Sequence, residues 1–157
     1  VRVLTVRQPW AHAVVHLGKD VENRTRNIAG AYRGPVAIHA GKRELPVDDP
    51  SRLDILGVTG QYPLLTLTSG LGVVIGVVDL VDVHHATGCP EHRDGAPWPL
   101  CSLWAMRDHH HLVLANPRAL ATPIPARGRL GLWTPDPDLE HAITTALATT
   151  AEVTASA

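Results

Sequence analysis

The chain has 157 residues and a mass of 16.9 kDa, which fits one domain with residues to spare for a tail. Its 14 basic and 15 acidic side chains leave a net charge of −1, which excludes a histone-like polycation and an acidic disordered tail. A hydrophobic fraction of 45 % supports a core without staples, and two cysteines, Cys89 and Cys101, cannot form a disulfide framework.

Val1 to Val6 reads as a short β-branched strand. Pro9 then suits a first helical turn, because its missing N–H costs nothing there. Ala11, Val14, Val15 and Leu17 form one apolar stripe of the helix that follows. Gly18 ends it, since it tolerates the left-handed conformation of a C-terminal cap. Residues 19 to 25 read as an extended or looped polar segment, Gly30 to Gly34 as a turn, and Pro35 to His39 as a strand.

Residues 44 to 70 carry three prolines and predict loops with short helical pieces. Val73 to His84 is the strongest strand, its early part apolar on both parities and so expected to be buried on both faces. A long loop is expected over 86 to 101, a strand over His111 to Ala115, an extended run over Ala119 to Pro125, and a short strand over Arg129 to Trp133. Asp136-Pro137-Asp138 is a helix start, with Leu139, Ile143, Ala146 and Leu147 as its apolar stripe. The Ala/Thr/Ser-rich end from Ala148 to Ala157 is expected to fray. Several strands, few helices and no βαβ alternation predict an α+β fold: a small barrel over residues 1–134, then a C-terminal helix and tail over 135–157.

The near-neutral total hides a gradient. Residues 1–43 carry +6, residues 44–94 carry −6, and the remainder −1. Such blocks either form one positive face suited to an anionic ligand or interleave in space and cancel. No apolar run reaches the ~20 residues of a membrane span, and the N-terminus lacks the apolar core of a signal peptide, so a cytoplasmic protein with no membrane partner is expected.

The ordered motifs resemble the ASCH domain family. Gln8-Pro9-Trp10-Ala11 opens the first helix. Gly18-Lys19-Asp20-Val21-Glu22-Asn23-Arg24 matches a Gly/Lys stretch ending in Glu-x-Arg, and Tyr32 to Ala40 matches Tyr-Arg-Gly-Pro-x-x-Ile-His-Ala. Ile75 to Leu80, Cys101 to Ala105 and Gly128 to Trp133 are similar to later landmarks, so the resemblance covers residues 3 to about 134. It implies a PUA-like curved β-barrel with short helices and a cleft that binds RNA or other nucleic acid. Some relatives hydrolyse the acetyl amide of N4-acetylcytidine, and a ribonuclease activity has been ascribed to another.

Recognition of a nucleic acid needs cations, planar stacking surfaces and directional hydrogen bonds. The candidate site therefore comprises Arg7, Gln8, Trp10, Lys19, Glu22, Asn23, Arg24, Arg26, His39, Lys42 and Arg43. Trp10 reads either as core or as a stacking platform, and His39 either as a backbone partner or as a contact to a base. A hydrolytic role, the alternative, would fall to Lys19 and Glu22. Glu22 occupies the position where the deacetylating relatives carry a Thr nucleophile, and a carboxylate is a poor stand-in for an attacking hydroxyl.

His84-His85, Cys89, His92, Cys101 and His109-His110-His111 invite a metal reading. Cys89 and His92 have a workable spacing, but the sequence offers no evident second pair to complete a tetrahedral set, so no metal is expected. No phosphate-cradling glycine loop is present, and no cofactor is expected. The partner expected is RNA or DNA, preferentially single-stranded, with a homodimer through the C-terminal helix as a further option.

Overall fold

The computed structural model describes residues 1–46, 48–60, 70–89 and 100–155. In chain order the elements are β1 (Arg2–Gln8), α1 (Trp10–His16), β2 (Val21–Arg24), β3 (Gly34–Glu44), α2 (Arg52–Thr59) and β4 (Val73–His85). A short 3₁₀ turn (Ala86–Gly88), β5 (His110–Pro125), β6 (Leu132–Trp133) and α3 (Pro137–Ala155) complete them. The strands form one six-stranded sheet in the order β2-β5-β4-β3-β1-β6. β1 runs parallel to β3, and the other pairs are antiparallel.

The sheet curls into a half-barrel. Its long central strands carry register shifts, at Ile38/His39 on β3 and between Val74 and Gly76, Val77 and Asp79, and Leu80 and Asp82 on β4. Each shift adds local twist and bends the strand. The α+β architecture with a C-terminal helix is the one the sequence predicts, and it is compatible with a PUA-like β-barrel.

Helix α1 fills the concave side. Ala11, Val14 and Val15 pack there with Leu4, Val6, Ile38, Ile75, Val78, Leu80, Leu112 and Leu114. Gly76 permits this approach: a Cβ on it would lie 2.8 Å from a methyl of Val15 and 2.9 Å from the Arg118 carbonyl. The helix ends as expected. Gly18 has φ +70°, and the N–H groups of Leu17 and Lys19 both reach back to the Ala13 carbonyl at 3.0 Å.

The convex side is covered by α3. Its predicted stripe of Leu139, Ile143, Ala146 and Leu147 packs against Val3, Ala37, Val74, Val77, Leu120 and Trp133. The early half of β4 is therefore covered on both faces, as its double-sided apolar pattern requires. Asp136 caps α3 by accepting from the Leu139 N–H at 2.9 Å.

The polar segment after α1 takes the extended option as β2, because its backbone pairs with β5 from Val21↔Val113 to Arg24↔His110. Several other expectations are revised. The two runs expected around residue 116 join into one strand, β5, bent where Asn116 takes φ +50°. The last strand shrinks to Leu132–Trp133. Helix α3 extends to Ala155, in keeping with its Ala-rich sequence, and Thr149 and Thr150 donate to the carbonyls one turn earlier. The predicted helical piece within 44–70 is α2, while residues 61–69 and the 90–99 part of the expected long loop lie outside the described residues.

Candidate nucleic-acid interface and a histidine–cysteine cluster

Three cations of the first 43 residues, Arg7, Lys42 and Arg43, lie where β1 and β3 end, whereas Arg2 is held at Thr134 and Arg33 beside Asp82. These strands pair in parallel, with Val6 opposite Ala40 and Gln8 opposite Glu44. Between these pairs β3 carries Gly41, Lys42 and Arg43 against the single Arg7 of β1. This bulge brings three cations together. Beyond Leu4 the strand β6 no longer pairs with β1. Arg24, from the other end of the sheet order, reaches that stretch and donates to the Thr5 carbonyl at 3.2 Å. Arg26 follows two residues later and is exposed. Among the described residues, Arg7, Arg26, Lys42 and Arg43 form no ion pair. Asp49 lies within the field of Arg7. Its carboxyl is held below the usual carboxylate range chiefly by the Ser51 hydroxyl and N–H, with Arg52 and Arg7 adding to the effect.

Beneath this rim lies a buried ionic group. Lys19 is 4 % exposed and its ammonium donates to the Glu22 carboxylate at 3.1 Å and to the Val21 carbonyl. Arg24 holds the other oxygen of Glu22 at 3.1 Å, while its Nε is buried with no partner. Burying the charged Lys19 and Glu22, with Arg24 partly buried beside them, is tolerated only because each is paired and hydrogen-bonded. Among the described residues no hydroxyl is hydrogen-bonded to Lys19 or Glu22, and the Lys19 ammonium is already committed to two acceptors.

Trp10 stands between core and platform. It is half-buried, meets Trp104 edge-on with ring centroids 6.4 Å apart, and carries the Lys19 ammonium 5.8 Å above its ring. Asn23 is spent on structure: it donates to the Trp104 carbonyl at 2.8 Å and accepts from the Met106 N–H at 2.9 Å. Gln8 is fully buried and accepts from the His12 N–H at 3.0 Å.

His39 is not brought into this group. It lies on the opposite face of β3 from Ile38 and Ala40, 1 % exposed, with Nε2 3.1 Å from the Ala126 carbonyl. Gly128 makes room for it, since a Cβ there would stand 2.6 Å from the ring. Burial lowers the pKa of His39 against the opposing hydrogen bonds to Ala126 and Gly72.

A cleft of about 490 Å³ opens beside α1 and α2, lined by His16, Asp20, Val58, Ser102 and Trp104 among others. Its lining contains Asp20 and no Lys or Arg, so it does not favour an anion. The basic rim lies elsewhere.

A second constellation forms at the β4–β5 connection. His84 and His111 are cross-strand partners, and Cys89 and Cys101 flank the connection between the strands. One nitrogen or sulfur from each of the four lies within 4.8 Å of the others. His111 Nδ1 is 3.4 Å from His84 Nε2, 3.4 Å from Cys101 Sγ and 3.7 Å from Cys89 Sγ. Burial, with the Cys89 sulfur alongside, pushes the Cys101 thiol up to about 12. Burial likewise lowers the pKa of His111. The sequence named all four residues as metal candidates but offered no second pair, because the set is joined by strand pairing and not by short spacing. His92, the expected local partner of Cys89, lies outside the described residues. His85 and His110 form a separate edge-on pair with centroids 5.0 Å apart.

Scanned against models of known protein families, the chain matches none.

Proposed function

We propose that this chain is an ASCH-type module that binds single-stranded nucleic acid, RNA foremost, along the rim of Arg7, Arg24, Arg26, Lys42 and Arg43. The observation that carries the reading is the gathering of Arg7, Lys42 and Arg43 at the β1–β3 bulge, without a compensating ion pair at any of the three among the described residues, with Arg24 bonded to the Thr5 carbonyl two residues before Arg7. Phosphates are neutralised by such exposed cations, and a half-buried aromatic such as Trp10 beside them offers a face for a base. Arg24, held by Glu22 and Thr5, supplies a pre-positioned guanidinium at the inner edge of this rim.

The experiment is a fluorescence-anisotropy titration of single-stranded RNA, single-stranded DNA and duplexes of each at low and moderate salt. Three to five phosphates neutralised at about 0.7 counterion each predict roughly 20- to 130-fold weaker single-strand binding when salt rises about fourfold. Absence of binding to every one of these probes at low salt would overturn the reading. The hydrolytic alternative draws less support, because Lys19 is engaged as a donor and no hydroxyl joins it or Glu22 among the described residues.

A further inference from the structure

We propose that His84, Cys89, Cys101 and His111 bind a single tetrahedral divalent metal ion, zinc by the character of the ligands, as a structural site that ties down the β4–β5 connection. Distances are the first argument. Zn–N bonds of about 2.05 Å and Zn–S bonds of about 2.3 Å set the edges of a tetrahedron at about 3.3 Å for N to N and about 3.5 Å for N to S. The structure has 3.4 Å between the two histidine nitrogens, and 3.4 and 3.7 Å from His111 Nδ1 to the two sulfurs.

The tautomers are the second argument. His84 Nδ1 lies 2.7 Å from the Asp82 carboxylate, which needs a donor and so places the ring proton there. His111 Nε2 lies 2.8 Å from the Met106 carbonyl, which likewise needs a donor. In the neutral rings the lone pairs of His84 Nε2 and His111 Nδ1 therefore point into the same space, joined by two sulfurs. Converging lone pairs repel unless a cation lies between them. Carboxylate and carbonyl partners on the far nitrogens are the usual supports of metal-bound histidines. A further contact fits as well: the Cys101 N–H donates to Cys89 Sγ at 2.8 Å, as an amide does toward a sulfur that carries negative charge.

Two thiolates and two imidazoles suit zinc and leave no protein-free position, which marks the site as structural. The segment it anchors is the one that braces the ionic group. Ser102 donates to Asp20, Trp104 Nε1 donates to the Gly18 carbonyl at 3.1 Å, and Met106 bonds to Asn23. Metal binding should therefore order residues 101–106 and, through them, the backbone of 18–24.

The full chain, purified under reducing conditions, is stripped with a chelator and titrated with Zn²⁺ and, separately, with Co²⁺. The expected result is one ion per chain, and for cobalt the intense visible absorption of a tetrahedral ion with a thiolate charge-transfer band in the near ultraviolet. Cys101→Ser and Cys89→Ser should each abolish that band. Asp82→Asn, which leaves the four ligands and the core in place, should weaken uptake about 10- to 100-fold. His109→Gln, outside the set, should change nothing. Hydrogen exchange should show greater protection of residues 101–106 in the zinc form. No uptake of either metal by the reduced chain, or uptake that survives both cysteine substitutions with the same spectrum, overturns the proposal.

Discussion

At the scale of single residues, the pairing of Glu22 with two cations decides whether the inner edge of the rim holds together. Lys19 and Glu22 have side chains 4 % and 11 % exposed, so neither can turn to water when its partner is removed. Glu22→Ala should lower stability by about 3–5 kcal/mol, read as a shift in the urea unfolding midpoint, because it strands a buried ammonium. A loss well under about 1 kcal/mol would mean that Lys19 finds another acceptor. His39 gives a pH signature. Its folded pKa lies below 6.5, so beneath that pH the unfolded chain takes up a proton that the folded chain resists. Stability contributed by neutral His39 is therefore full above about pH 6.5 and falls as pH drops through the folded pKa. Lys42 adds to the resistance, and the Ala126 and Gly72 contacts oppose it. In His39→Gln the decline of the unfolding midpoint between about pH 6.5 and pH 5 should be shallower than in the parent chain.

At the scale of elements, the double cover of β4 explains most of the core. Ile143 of α3 is 1 % exposed against the convex face, so Ile143→Ala should cost about 2–5 kcal/mol in chemical unfolding. Leu130, 98 % exposed, should tolerate the same truncation within about 0.5 kcal/mol. The same packing bears on the idea of a dimer through α3, since the stripe that could have served a partner lies on the chain's own sheet. Elements whose signal is local were legible in the sequence: the Gly18 cap, the Asp136 cap, the stripe of α3 and the two-faced β4 all follow from periodicity and terminal chemistry. Elements whose signal is a partner were legible only in part. β2 is polar, so the sequence leaves it extended or looped, and β5 beside it decides for a strand. The four histidine and cysteine ligands stood out by residue type, but their grouping is not evident until His84 and His111 are known to face each other across β4 and β5. Of the candidate site, the cations Arg7, Arg24, Lys42 and Arg43 were legible as charge. The separation of His39 was not, because the register shift at Ile38/His39 and the approach of Gly128 are tertiary facts.

At the scale of the molecule, a net charge of −1 and a +6 N-terminal block are reconciled by the fold. Acids are spent in part on internal partners: Glu22 on Lys19 and Arg24, Asp79 on Asn116 and Arg118, Asp82 on His84 and Arg33, and Glu140 on the N-terminal ammonium. The cations at the β1–β3 bulge have no such partners among the described residues, so attraction of an anion should be local to the rim and not a property of the whole surface. The measurement that tests this most directly is the slope of log affinity against log salt for a single-stranded RNA, in the parent chain and in Lys42→Glu/Arg43→Glu. Loss of two phosphate contacts should make the slope shallower by about 1.4, at roughly 0.7 per phosphate, and weaken binding at low salt. An unchanged slope and affinity in the double variant, with both chains equally folded, would contradict the rim as the binding surface.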